Sequence, residues 1–173
     1  LRKDMALIET KVADLGYAFV KVMPDVKNDK QNHVANISYR VMPGEKVYIN
    51  NVRISGNSRT IDRVVRREIY LANGDMYSRT DVTDTKSALK RTGYFEDVEI
   101  KEERISKDRM DIVVNVKEAS TGSIGGGIGY GSSDGLLLSA SISDGNIFGS
   151  GLRAGIDVER SDSELNGAIS LSN

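Results

Sequence analysis

The sequence predicts an α+β segment built on the order β-α-α-β-β, followed by an antiparallel β-meander that reads as a fragment of a transmembrane β-barrel. Three observations predict it. A helix–Gly–aromatic–strand pattern occurs twice in the first 120 residues. The composition changes abruptly at Ala119-Ser120-Thr121-Gly122, from Lys/Glu-rich to Gly/Ser-rich. Beyond that point apolar residues keep a period of two through four successive segments, the strand period. The 173 residues carry a net charge of −1, so no global basic excess points to nucleic acid. Cys is absent and His33 is the single histidine, which excludes disulfides, thiol catalysis, zinc–thiolate sites and any histidine cluster. No apolar run approaches the ~20 residues of a membrane helix. The opening Leu1-Arg2-Lys3-Asp4 has no signal-peptide character and reads as the middle of a longer protein.

The repeat organises the first part. "LGYAFVKV" (15–22) and "TGYFEDVEI" (92–100) each follow a helical pattern: Met5, Ile8, Val12 and Leu15 before the first, Val82, Thr85 and Leu89 before the second. Ser78 with Asp81 is a candidate capping box for the second helix. Each copy is followed by a further strand, "HVANISYRV" (33–41) and "RMDIVVNV" (109–116). Gly16 and Gly93 lie 77 residues apart, a period that fits tandem small domains rather than a solenoid. The second unit is complete. "KVYINNVRIS" (46–55) alternates as a strand with a slip at Asn50-Asn51, and Gly56-Asn57 turns the chain. "TIDRVVRREIYL" then reads as a helix with Ile61, Val64, Val65 and Ile69 on one face and Thr60 as its N-cap. The first unit begins in its second helix. Gly16 and Gly93 suit a left-handed position after a helix. Gly93, Tyr94 and Phe95 read as cap plus core packing, with direct contact by Tyr94 or Phe95 the lesser alternative.

In the last part, segments 123–131, 136–143, 152–160 and 165–172 alternate. Ile124, Gly126, Ile128 and Tyr130 share one face of the first; Leu136, Leu138, Ala140 and Ile142 of the second. Leu152, Ala154, Ile156 and Val158 do so in the third, and Leu165, Gly167, Ile169 and Leu171 in the fourth. The opposite faces are polar or glycine. Turns are expected at Ser132–Gly135, Asp144–Gly151 and Ser161–Ser163. Segments of this length with one apolar and one polar face match outer-membrane barrel strands, and four are too few to close a barrel of at least eight. The competing arrangement is a soluble binding adaptor whose C-terminal sheet is a self-contained sandwich.

"VYINNVRISGNSRTIDRVVRREI", "LKRTGYFEDVEI", "TGSIGGGIGYGSSDG" and "NIFGSG" together resemble the Omp85 family, and the resemblance covers essentially the whole chain. It implies residues 1–44 as the end of a penultimate POTRA domain, 45–119 as a complete last POTRA domain, and 120–173 as the first four barrel strands. It implies an outer-membrane location for 120–173 and a periplasmic one for 1–119. The implied activity is insertion of unfolded β-barrel proteins, with accessory lipoproteins, outer-membrane lipid and open-edge self-association as partners. No enzyme activity, cofactor or metal is expected. Six of the ten residues Gly122–Gly131 are glycine. The resemblance implies a seam beside the first barrel strand that opens sideways, and glycine, which removes cross-strand side-chain contacts and loosens register, suits Ile124, Gly125, Gly126, Gly127, Ile128, Gly129 and Tyr130 to be that lateral-gate strand. The alternative is that Gly125, Gly127 and Gly129 make room in a lumen or bend the strand. Strand 95–103 is a second candidate edge, with acidic residues as protection against aggregation. Arg63, Arg66 and Arg67 line one helical side, either as a solvated face or as contacts to an acidic lipoprotein or lipid headgroups. Asn73 stands where the family tends to carry an acid before Gly74, so an ion pair is not expected there.

"GGGIGYG" evokes a phosphate loop, but no helix follows it. Asp157 and Glu159 share a face without an acid/base partner. His33, in "DKQNHV", is expected in solvent.

Overall fold

The structure is a computed structural model that describes residues 1–29, 33–132 and 135–173. The elements are α1 (Arg2–Ala13), β1 (Lys21–Asp29), β2 (Val34–Met42), β3 (Tyr48–Ser55), α2 (Asp62–Arg66), α3 (Arg79–Arg91), β4 (Phe95–Arg104), β5 (Arg109–Glu118), β6 (Gly122–Gly131), β7 (Gly135–Asp144), a 3-10 turn (Ile147–Gly149), β8 (Arg153–Arg160) and β9 (Leu165–Ser172). They form three sheets: β1-β2, β3-β5-β4 and β6-β7-β8-β9. Residues 45–119 thus have the expected β-α-α-β-β order, with β4 at a sheet edge. The expected turn between β6 and β7 falls partly on Ser133 and Asp134, which with Lys30, Gln31 and Asn32 of "DKQNHV" lie outside the described residues; His33 is exposed at positive φ.

The chain divides into two compact units. One comprises Leu1–Arg53, Ile69–Ser87 and Glu99–Asn115; the other comprises Ile54–Glu68, Ala88–Val98 and Val116–Asn173. In the first, Val47, Ile49, Tyr77, Met110, Ile112 and Val114 are buried. Ile49 and Val52 are both buried although three residues apart, which is the parity slip at Asn50-Asn51. Asn73 serves the slip: its Oδ1 accepts the Val52 N–H at 3.0 Å, and its Nδ2 donates to Asn51 Oδ1 at 3.3 Å. The buried Tyr77 hydroxyl donates to Glu102 Oε1 at 2.9 Å. Burial and the adjacent carboxylate push its pKa above the ordinary 10.0.

Asp14 follows α1, and its carboxylate accepts from the Thr80 N–H at 2.9 Å and from Thr80 Oγ1 at 2.7 Å. Ser78 Oγ accepts the Asp81 N–H at 3.1 Å, which confirms Ser78 as the cap of α3. The first turn of α3 therefore gains acceptors from two places in the sequence.

Two local expectations are corrected. Thr60 is not an N-cap; Ile61 takes that position, without a side-chain cap bond. The helix "TIDRVVRREIYL" is also shorter than its pattern, ending at Arg66. After it Tyr70 is 55% exposed between the partly covered Ile69 and the buried Leu71, a period of two rather than 3.6. Val64 and Val65 bury fully within the five-residue helix, and β-branched or aromatic residues give little propensity to extend it.

In the second unit, Val64, Val65, Leu89, Phe95, Val98 and Val116 are buried. The four-stranded sheet belongs here. Its register sets Ile124 against Ile142, Ile142 against Ile156, and Ile156 against Ile169, a row of four isoleucines across the sheet. β8 starts at Arg153, which leaves Leu152 just outside the strand. No second sheet covers the apolar face among the described residues: Leu136, Leu138, Ile156 and Val158 are each 43–49% exposed.

Candidate functional site

Among the described residues β6 pairs with β7 alone and is an edge strand. Its residues are exposed almost throughout, with Ile124 at 84% and Ile128 at 81%. Tyr130 lies opposite Leu136 on the same face. On the other face Gly125 opposes Ser141 and Gly127 opposes Ser139. A Cβ on Gly125 would come 2.7 Å from Ser141 Oγ, and one on Gly127 2.8 Å from Ser139 Oγ. Both obstacles are rotatable hydroxyls. Beside Gly129 a Cβ would touch Leu137 only at ordinary distance. None of these three glycines has positive φ. Their backbone conformation therefore does not demand glycine, and what glycine removes is side-chain grip on the neighbouring strand.

The 3-10 turn after β7 is fixed by a buried polar cluster. Asn146, 3% exposed, donates through Nδ2 to Thr60 Oγ1 at 2.8 Å and accepts the Gly151 N–H through Oδ1 at 2.8 Å. Thr60, 1% exposed, donates its hydroxyl to Glu118 Oε2 at 3.0 Å. Glu118 Oε1 accepts the backbone N–H groups of Thr60 at 2.8 Å and Arg59 at 3.2 Å. The Ile61 N–H reaches the Gly149 carbonyl at 3.1 Å. Gly149 has φ +68, and a Cβ there would overlap the Arg59 carbonyl. Only glycine combines that backbone with that approach. The segment entering α2, the end of β5 and the turn before β8 are thereby joined as one piece.

The expected site residues separate into distinct roles. Gly93 has φ +73 and ends the segment after α3. Phe95 is buried. Tyr94 is half-buried, packs edge-on against Phe95 at 6.3 Å, and donates its hydroxyl to the Gly151 carbonyl at 3.0 Å. Both contacts of Tyr94 lie within the chain and serve packing of the motif. Arg63, Arg66 and Arg67 are all exposed. Arg66 pairs with Asp62 at 3.0 Å and Arg67 with Glu68 at 3.1 Å. Exposed pairs of this kind contribute ~0–1 kcal/mol. Thr60, Glu118, Asn146 and Gly149 were not singled out as site residues by sequence reasoning. The available signal was an Asn and three Gly within a turn whose length exceeds a tight hairpin.

Three comparisons place this geometry among known proteins. The POTRA family, described as a surface antigen variable number repeat, matches residues 47–119. The outer membrane protein assembly factor BamA of Nitratidesulfovibrio vulgaris is 35% identical over 157 residues, 90% of this chain and 20% of the relative. BamA of Neisseria meningitidis serogroup B is 30% identical over 166 residues, 95% of this chain and 21% of the relative. The crystal structure of Haemophilus ducreyi BamA lacking POTRA domains 1–3 superposes with a TM-score of 0.86 at 33% identity, covering 98% of this chain and 33% of that one. The chain thus spans about a fifth of the length of the curated relatives it matches.

Proposed function

The chain belongs to the Omp85 family, and from that premise we propose that it is the part of an outer-membrane insertase where the last POTRA domain passes into the first barrel strands. Residues 1–44 close a penultimate POTRA domain, 45–119 form the last one, and 120–173 enter the membrane. The POTRA residues lie in the periplasm. The work done is assembly: unfolded outer-membrane proteins are guided to the barrel and added strand by strand, with no covalent chemistry.

The observation that carries this reading is the composition of β6, a strand whose glycines leave it little side-chain attachment to β7. Ile124 to Tyr130 form the lateral-gate strand. Its unpaired backbone N–H and C=O groups take an incoming strand by β-augmentation, and its glycines keep that pairing reversible. The uncovered apolar face of β6–β9 is the lipid face, as expected for barrel strands with an outward apolar band. Gly93, Tyr94 and Phe95 hold the last POTRA domain together and to its exit segment. Arg63, Arg66 and Arg67 form the accessory-lipoprotein contact, with Arg63 the one lacking a salt bridge among the described residues.

The test is site-specific cross-linking. Cysteines at Ile124 and Ile128 should form adducts with the terminal strand of a stalled barrel substrate, and cysteine at Ser141 should not. Adducts absent from both β6 positions would refute templating by this strand.

A further inference from the structure

The end of the sheet where β6 starts and β7 ends carries an open apolar cavity of about 990 Å³. The four-isoleucine row, Phe148, Arg59 and Asp144 all line it, the last two as its charged members. Phe148 is 91% exposed and stands at φ 53, a conformation that costs a bulky residue strain. The ring is thus held out where an apolar medium or ligand can receive it. Aromatic residues at that level are typical of the membrane–water boundary.

These charges are a loose pair. Arg59 Nη2 lies 3.9 Å from Asp144 Oδ2, beyond hydrogen-bond reach. Asp144 Oδ1 is taken by Thr121 Oγ1 and by the Asn146 N–H, so Oδ2 is the oxygen left facing Arg59. Both side chains remain accessible, at 54% and 30%. The Arg59 backbone is fixed by Glu118 and by the approach of Gly149. A guanidinium and a carboxylate oxygen, each short of a close partner, therefore sit side by side above an apolar wall.

We propose that this cavity binds the headgroup of a zwitterionic aminophospholipid, with an acyl chain along the isoleucine row. Arg59 takes the phosphate, which suits the planar guanidinium fork. Asp144 Oδ2 accepts from the primary ammonium, which offers three N–H donors. An anionic headgroup without an amine meets the Asp144 carboxylate unfavourably, and a trimethylammonium group has no N–H to donate. The inference rests on the four-stranded sheet facing lipid, and adds to it a specific headgroup site beside the gate strand.

The experiment is native mass spectrometry of the protein, purified and delipidated in detergent, then titrated separately with phosphatidylethanolamine, phosphatidylglycerol and phosphatidylcholine. The expected order of retention places phosphatidylethanolamine first. Arg59→Gln should weaken retention of all three lipids, by about tenfold for phosphatidylethanolamine, the scale of one lost charge-assisted hydrogen bond. Asp144→Asn should remove the preference over phosphatidylcholine while leaving phosphatidylcholine itself bound. Arg59→Lys, which keeps the charge, should recover part of the loss, and strand content by circular dichroism confirms folding of each variant. Equal retention of the three lipids by the unaltered protein overturns the headgroup site and leaves the lipid-facing sheet intact. Failure to retain any lipid overturns both.

Discussion

Asn146 donates its side-chain amide to Thr60 Oγ1 at 2.8 Å, joining residues 86 positions apart at a point where both are buried. The bond continues to Glu118 through the Thr60 hydroxyl and to Gly151 through the Asn146 carbonyl oxygen. The turn between β7 and β8 is thereby fixed to the segment that leads into α2.

Asn146→Ala should destabilise the protein by about 1–3 kcal/mol, the cost of stranding buried partners on Thr60 and Gly151. Denaturant unfolding in detergent measures it. Thr60→Val removes the shared hydroxyl, so the double variant should lose less than the two single losses combined. Strict additivity would show that the cluster is not one network.

Gly149→Ala should be worse tolerated than Gly122→Ala, although both are glycines near strand ends. At Gly149 the backbone has φ +68 and a Cβ overlaps the Arg59 carbonyl; at Gly122 the nearest atom is 3.9 Å away. The expected cost at Gly149 exceeds ~1 kcal/mol. Hydrogen exchange should show lost protection at the Ile61 amide, which bonds to the Gly149 carbonyl.

Gly125→Ala and Gly127→Ala should fold normally, because rotation of Ser141 and Ser139 clears the space. Alanine in a strand is favoured over glycine by roughly 0.5–1 kcal/mol. Melting temperature should hold or rise slightly, while the rate of substrate insertion falls because β6 grips β7 more firmly. Unchanged insertion with raised stability would separate the glycines from exchange of strand partners.

Acid should loosen the start of α3 through Asp14. Burial acts to raise its pKa, but hydrogen bonds from the Thr80 N–H, Thr80 Oγ1 and Ser78 outweigh it, and the net shift is below 3.8. A carboxyl whose folded pKa is depressed stabilises the fold above its unfolded pKa. That contribution is lost as pH falls from about 3.8 through the lower folded value. Asp14→Asn should therefore be less stable than the unaltered protein at neutral pH, and the difference should narrow below pH 3.8, followed by thermal melts across that range.

Tyr94→Phe should cost about 0.5–1.5 kcal/mol, since it removes the bond to the Gly151 carbonyl and keeps the ring packing against Phe95. Phe95→Ala, which empties a buried position, should cost roughly 3–5 kcal/mol. The contrast separates a junction contact from a core residue within one short motif.

What the sequence determined by itself was whatever depends on periodicity and on local backbone chemistry. The period-two beat of 123–172 fixes which residues share a face, because side chains alternate along any strand. Gly16 and Gly93 announce positive φ, and Ser78 announces a helix start, because each acts within three or four residues of itself. The five-residue length of α2 was hidden: Ile61, Val64, Val65 and Ile69 keep helical spacing beyond Arg66, and only the burial of Leu71 beside the exposed Tyr70 shows the chain extended there. The Asn146–Thr60–Glu118 cluster was hidden for a stronger reason. Hydrogen-bond partners 58 and 86 residues apart leave no periodic trace, and a turn Asn reads as a solvated turn residue until another segment buries it. The loose Arg59–Asp144 pair in the cavity is of the same kind. Tertiary structure alone chose these partners, since buried polar groups take whichever acceptors and donors the packed chain brings within 3 Å.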